Sequence, residues 1–350
     1  MHNNNTRIHL ITKNFAHHSR FSGYDRLLEF LPNSPLRNLP IARLVGKAKK
    51  DEMIAQCPAR WDHYGLEEIN RELDILYTPY LFRKHILHFL YGENTFCYCS
   101  DFNRNKKVLL ATYHQPEAWF SSSGMERYEY FTGNLKKLDG VIAVSNDQRD
   151  FFRNFNPNVF CVHHGIDVDF FCPGAPEERD PTLCLFVGNW LRDFETLKQC
   201  SLILKSAAPD VKIQVVTPEK NRPLLEGAAV EIFSGISDTD LREKYRKASV
   251  ALLPLQDCTA NNSALEAMAC GLPIVVSDIG GIRDYVQESF GVFCARGNAE
   301  EMAHAIIAML SDSHRRTEMG AAARKCAEDS FAWPVVARKM LEVYEHFLKD

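Results

Sequence analysis

Compact, mostly apolar runs punctuate this chain. In the first half they are Arg7–Lys13, His85–Tyr91, Lys107–Tyr113 and Leu138–Ser145; in the second they are Leu183–Gly188, Val211–Val216, Val250–Pro254 and Ile274–Val276. Each is too short for an amphipathic helix and lacks strict alternation, which predicts buried strands. Helical stretches between them are announced by polar caps: Ser145 or Asn146 after the fourth run, Ser237 or Asp238 before Leu241–Ala248, and Asn261 to Ser263 before Leu265–Ala269. Strand, polar loop and helix repeating in that order predict open α/β sheets, whose ligands collect at the carboxyl ends of the strands. An acidic, proline-containing stretch from Phe171 to Pro181 reads as a linker. It divides the chain into residues 1–172 and 173–330, with a last helix over 331–350.

Length agrees with that division, because 350 residues are too many for one ordinary core. An apolar fraction of 45% supplies two cores, and a net charge of -4 gives no basis for nucleic-acid binding. The 11 cysteines are dispersed, with Cys97 and Cys99 the only close pair. Reduced, packed thiols are expected, with no metal cluster. No signal-like segment opens the chain and no apolar run approaches bilayer length, so a cytoplasmic location is expected. From Phe30 to Lys50 there is no acid, while Arg37, Arg43, Lys47, Lys49 and Lys50 alternate with apolar residues. That pattern suits either a solvated face or peripheral contact with the inner face of an anionic membrane.

Candidate chemistry concentrates in the stretch Asn261 to Gly281. A helix capped near Asn261 is ended by Gly271 and barred from continuing by Pro273. Glu266 is expected in its first turn, where unpaired N–H groups and the positive dipole end attract a phosphate or a polar sugar. An acid there needs a hydroxyl or cationic partner. Further candidates are Gly23 and Tyr24 in the loop after the first strand, and His114 with Gln115 just past the third. Taken singly, Gly23 meets a turn requirement and His114 could equally cap a turn.

Taken whole, Asn261–Val276 resembles the donor-site motif of the retaining glycosyltransferases of family 4, Asn-x-x-Leu-Glu-Ala-Met-Ala-x-Gly-x-Pro-Val-Val. Leu138–Ser145 is similar to the family's Asp-x-Val-Ile-x-Val-Ser segment, and Val230–Asp238 to its Phe-x-Gly-x-Val loop. His164–Asp167 resembles its Asn-Gly-Ile-Asp, with histidine in place of asparagine. The resemblance covers most of the chain in order. It implies the α/β architecture called GT-B: two Rossmann-like, doubly wound domains facing a crevice, the first for the acceptor and the second for the donor, with the last helix crossing back to the first. It also implies site residues. Gly188, Asn189, Arg192, Gly235, Ile236, Ser263, Ala264 and Glu266 would bind the donor nucleotide and diphosphate, Glu266 through ribose hydroxyls. His114, Cys258, Ala260, Asn261 and Asn262 would face the donor sugar, and Gly23, Tyr24 and Gln115 the acceptor. His114 and Arg192 would carry catalysis. Two donor-site positions also depart from the family: Cys258 stands where an acid is frequent, and Asn189 where an arginine is common. Arg192, the only cation in its turn, is assigned the diphosphate; pairing with Asp193 or Glu195 is its competing role.

No phosphate-cradling Gly-x-x-x-x-Gly-Lys loop and no Gly-x-Ser-x-Gly elbow is present. Asp167-Val168-Asp169 and Asp238-Thr239-Asp240 read as a linker and a helix cap, not as metal pairs. The expected activity is therefore a metal-independent, cofactor-free hexosyl transfer. UDP-glucose is the first candidate donor, with GDP-mannose or UDP-N-acetylglucosamine behind it, and a saccharide or polyprenol-linked saccharide the acceptor. Retention is implied by the resemblance, with the donor phosphate taking the acceptor's proton. A sugar-nucleotide epimerase of the same architecture and a non-catalytic nucleotide-sugar binding protein are the competing classes.

Overall fold

Five parallel strands build the first sheet: β1 (Thr6–Ile11), β2 (Lys84–Phe89), β3 (Lys107–Tyr113), β4 (Gly140–Ala143) and β5 (Val159–Cys161), side by side in sequence order. The computed structural model describes residues 6–13, 21, 23–35, 40–57, 64–77, 84–98, 107–122 and 124–348. Alternation sorts side chains between the sheet's faces. Leu87 and Phe89 join Leu109, Ala111, Tyr113, Phe120, Phe131 and Phe152 in one core. His88, between them in sequence, is buried away from that cluster: its Nδ1 lies 2.6 Å from the Tyr344 hydroxyl and its Nε2 2.8 Å from Thr112 Oγ1. Tyr344 belongs to the helix Trp333–His346, whose end covers this sheet. Beyond it, a Cβ on Gly140 would come within 2.6 Å of the Phe347 ring.

The second sheet holds β6 (Leu183–Val187), β7 (Lys212–Val216), β8 (Glu231–Phe233), β9 (Val250–Leu253), β10 (Ile274–Ser277) and β11 (Gly291–Cys294), all parallel, in the order β11-β10-β9-β6-β7-β8. Strand order therefore reverses where β6 meets β9. In a doubly wound sheet that junction opens a crevice at the carboxyl ends of the two strands. Both strands are buried at every residue.

The chain divides into two compact units. One comprises Tyr24–His163 with both ends of the chain, and the other comprises Ser19–Gly23 with His164–Val336. The division falls at 163, earlier than the expected 172, because the supposed linker is packed. Ile166 and Phe171 lie in the second unit's core, the Ile166 N–H bonds Phe331 O at 2.8 Å, and Arg324 Nη1 donates to the carbonyls of Val168 and Phe171, both at 2.9 Å. The last helix starts at Trp333, after a single π-type turn over Ala327–Phe331.

Two further expectations change. Cys57 and Cys97 form a disulfide across 40 residues of sequence, so the cysteines are not uniformly reduced. Of the basic segment, residues 36–39, including Leu36, Arg37 and Leu39, lie outside the described residues. The rest includes the helix Lys47–Gln56, on which Lys47 pairs with Asp51 and Lys49 with Glu52. Among the described residues no helix is long and apolar enough to cross a membrane.

Burial pushes the His88 imidazole from its ordinary 6.5 down to about 3. Between those values the unfolded chain binds a proton that the folded chain does not, so stability falls as pH drops from about 6.5 towards 3, by at most about 1.4 kcal/mol per pH unit from this group. His88→Gln should flatten that dependence in urea unfolding at pH 7 and pH 5. An identical pH dependence in both chains would show that some other group sets it.

Candidate functional site

At the β6–β9 junction the chain makes a tight, over-determined loop. Gly188 ends β6 at φ 126°, and a Cβ there would lie 2.5 Å from Arg192 Nε. The guanidinium thus lies across bare backbone that only glycine provides. Leu191 is at φ 56°, the single non-glycine residue in the left-handed region among those described. Such a conformation costs about 1–2 kcal/mol and is held here by its surroundings. Gln256 N–H bonds Leu191 O at 2.9 Å, Asp193 N–H bonds Pro254 O at 3.0 Å, and Arg192 bridges to Leu255.

Arg192 reaches back from this loop. Its Nε donates to Val187 O at 3.1 Å and Nη1 to Trp190 O at 3.1 Å, while Nη2 donates to Asn261 Oδ1 at 3.2 Å and Ser263 Oγ at 2.9 Å. The competing carboxylates are engaged elsewhere: Asp193 caps the helix Phe194–Ala207 through Thr196 N–H, and Glu195 accepts from Gln199. Burial lowers the guanidinium's pKa, yet no carboxylate among the described residues lies within ion-pair distance of it. The side chain stays charged nonetheless.

Its anchors belong to the helix Asn262–Ala269. Asn261 caps that helix by accepting from Ala264 N–H at 3.1 Å, and Ser263 Oγ donates to Val187 O at 2.9 Å while receiving Arg192. Because the helix begins at Asn262, Glu266 falls one turn in and not in the first turn as expected. It is buried, and the Tyr245 hydroxyl donates to its Oε2 at 2.9 Å. Burial, and then the Glu266 charge, push the Tyr245 hydroxyl far up, so it remains a donor. Sequence reasoning missed Tyr245. Its signal was there: Leu241 and Tyr245, four apart, are the only apolar-type residues of the helix Asp238–Lys247.

The loop before the cap is equally fixed. Cys258 is buried and burial pushes its thiol up to about 12, so it presents a neutral S–H that donates to Thr259 O at 3.3 Å. Its carbonyl accepts from Gly281 N–H at 2.8 Å, and a Cβ on Gly280, at φ 54°, would lie 2.3 Å from that oxygen. Gly280–Asp284 is thus a short 3-10 turn clamped onto this loop. Ala260, Asn262 and Ile236 are half-buried, Ala264 is fully buried, and Gly235 is exposed at φ 65°. Asn189 Oδ1 accepts from Asn221 Nδ2 at 2.7 Å, a partner 32 residues away that no spacing rule would find.

In the first unit, His114 follows β3. Its N–H donates to Glu93 Oε1 at 3.0 Å and its Nδ1 lies 3.5 Å from the same oxygen. The ring packs between Tyr24, edge-on at 4.8 Å, and Tyr91 at 4.9 Å. Gln115 lends its carbonyl to Gln148 Nε2 at 2.8 Å. Tyr24 is buried, its hydroxyl 3.5 Å from Thr112 Oγ1. Gly23 groups with the second unit, so the acceptor-side trio of Gly23, Tyr24 and Gln115 is divided.

Residues 219–326 match the family model described as "Glycosyl transferases group 1". Among curated relatives, a D-inositol 3-phosphate glycosyltransferase of Frankia alni is 29% identical over 244 residues, covering 59% of this chain and 59% of its own. The chain thus spans about six tenths of such relatives' length. Among solved structures, the sucrose-phosphate synthase of Thermosynechococcus elongatus superposes with a TM-score of 0.68 at 17% identity, over 98% of this chain and 99% of that one. Anabaena HepE in complex with UDP and glucose gives a TM-score of 0.68 at 12% identity, over 98% and 100%. These neighbours share the GT-B fold.

Gly188→Ala should destabilise the second unit by about 1–3 kcal/mol, the sum of left-handed strain and a displaced guanidinium. Equilibrium unfolding in urea measures it. A loss under about 0.5 kcal/mol, the scale of a neutral surface change, would show that Arg192 leaves Val187 and Ser263 at little cost.

Proposed function

We propose, from the match of residues 219–326 to the glycosyl transferases group 1 model, that the chain transfers a hexose from a nucleotide sugar with retention and without a metal ion. One observation carries the reading: the Arg192 guanidinium lies across Gly188 at the start of the helix Asn262–Ala269, charged and without a carboxylate partner. A cation kept partly from water without a counter-ion is costly, and a bound diphosphate repays that cost. Of the five N–H groups of a guanidinium, four are spent on Val187, Trp190, Asn261 and Ser263. The remaining Nη1 proton is available for a phosphate oxygen. The site thereby holds the cation rigidly and leaves it one direction of reach.

In this reading Glu266, oriented by Tyr245, accepts the ribose hydroxyls. Gly235 and Ile236 lie against the base, and Cys258, Ala260, Asn261 and Asn262 face the donor sugar. Charge gathering on the leaving diphosphate is offset by Arg192 and the helix dipole, which is the work a metal would otherwise do. UDP-glucose is the first donor to test, since HepE holds UDP and glucose; GDP-mannose and UDP-N-acetylglucosamine follow. A saccharide or polyprenol-linked saccharide is the acceptor. Peripheral membrane contact through the Lys47–Gln56 helix and Arg43 belongs to the same proposal, although the Lys47–Asp51 and Lys49–Glu52 pairs reduce the charge offered.

Calorimetric titration with these three donors in EDTA, repeated with magnesium, tests the reading. One donor should bind equally well in both, and Glu266→Ala should weaken it by about 1–3 kcal/mol, the loss of a charged hydrogen-bond partner. Unchanged affinity in the folded variant would overturn the ribose assignment, and a strict magnesium requirement the metal independence. Donor binding with neither transfer nor hydrolysis would mark a non-catalytic binding protein, and release of a rearranged sugar an epimerase.

A further inference from the structure

A cavity opens at the amino edge of the first sheet, opposite the edge that carries His114, and every residue lining it belongs to the first unit. Lys84 opens β2, Lys107 opens β3, and Asp139 and Asn158 directly precede β4 and β5. Lys136 joins them from the last turn of the helix Met125–Lys137, and Phe347 from just past the last helix. The space amounts to about 560 Å³, within the range of small-molecule sites.

Among the described residues of this wall, three ammonium groups face the single carboxylate of Asp139, a formal excess of two positive charges. That carboxylate serves the sheet: its Oδ2 accepts the Leu109 N–H at 2.8 Å. Lys107 is anchored through Nζ to Ile75 O at 3.1 Å. Lys84 and Lys136 make no ion pair or hydrogen bond among the described residues. The bare carbonyls of a helix end would repel an anion, and two helices end here. Asn156 Nδ2 donates to Leu135 O and Leu138 O at 2.7 and 2.8 Å, and the N–H groups of Phe347 and Leu348 bond Tyr344 O and Glu345 O, both at 3.1 Å. Those carbonyls are spent on the protein. Asn158 is fixed as well, its N–H on Asn156 Oδ1 at 2.8 Å and its Nδ2 on Asp139 O at 2.9 Å.

A cleft lined by one sign of charge concentrates counter-ions, and lysine meets phosphate as a point charge. A phosphate monoester carries about -1.5 to -2 charges at neutral pH, which matches the excess. A bare phosphate would leave most of the volume empty. We propose that this cavity binds a soluble phosphate monoester of sugar size, its phosphate met by Lys84 and Lys136 and its organic body lying against Phe347. The site is separate from the crevice between β6 and β9, so it stands whether or not that crevice binds a nucleotide sugar.

Calorimetric titration of the full chain at low salt with ribose 5-phosphate, ribose and inorganic phosphate tests the site, with and without saturating UDP. Ribose 5-phosphate should bind at one site and ribose not at all, with inorganic phosphate weaker than the ester. Lys84→Gln and Lys136→Gln should each weaken the ester about 10-fold, the scale of a lost charged hydrogen bond. Lys205→Gln, at an exposed position of the second unit, should leave it unchanged. Absence of ester binding, an equal loss in the Lys205 variant, displacement by UDP, or capture of phosphatidic acid in phosphatidylcholine vesicles in place of the soluble ester would overturn the proposal. Amide spectra of the wild type give a readout that needs no variant: the ester should move the signals of Asn158 and Phe347 and leave those of Gly188 and Ser263 in place. The reverse pattern overturns the assignment. A chain that binds the ester but no nucleotide sugar would remove the transferase reading and keep this one.

Discussion

A guanidinium can be held away from water only where acceptors meet it on several sides. Arg192 meets that demand with the last carbonyl of β6, a carbonyl of its own turn, and two side chains at the start of the helix Asn262–Ala269. Much else follows. Gly188 must lack a Cβ, Leu191 must turn left-handed, and the loop must return to bridge Leu255 beside β9. Asn261 serves at once as helix cap and as acceptor, and Ser263 as donor to Val187 and acceptor from Arg192. Strand, turn and helix are registered to one another by a single planar cation. The reversal of strand order between β6 and β9 supplies the crevice in which this can happen.

The two sheets differ in what their interiors contain. Around β6, β9 and β10 the core is mostly apolar, with Cys184, Ser277 and Glu266 among its buried exceptions. The first sheet instead buries His9, His85 and His88 together with Glu93. His9 and His85 stack 5.0 Å apart and share a 2.8 Å hydrogen bond, and burial lowers the His9 pKa. Neutral imidazoles each supply one donor and one acceptor, so such interiors are satisfied only in one arrangement of neighbours. The cost in hydrophobic burial is accompanied by a gain in specificity of packing.

Strands were legible because a buried parallel strand must be apolar along its whole length; Lys107–Tyr113 and Leu183–Val187 stand out on that ground alone. Caps at Ser145 and Ser237 were legible because a side chain that accepts from the third residue on leaves a local signature. What escaped were partnerships between distant segments. Tyr245 with Glu266, Asn221 with Asn189, Cys57 with Cys97 and Glu93 with His114 have no fixed spacing, because the fold and not the local chain brings them together. Glycine before a helix and glycine under a close carbonyl look alike in sequence, so the fit of Gly280 beneath the Cys258 carbonyl is visible only in the fold. The 172 boundary failed for a related reason: proline and acidic residues mark a loop, but not whether that loop is packed.

The allocation of the helix Trp333–His346 orders events during synthesis. Residues 164–336 form a nearly continuous unit and can collapse as they emerge from the ribosome. The earlier strands cannot finish at that stage, because Tyr344 and Phe347, which meet His88 and close over Gly140, have not yet been made. The half translated first is the half that closes last, and until then its sheet keeps a face of buried-type residues in water.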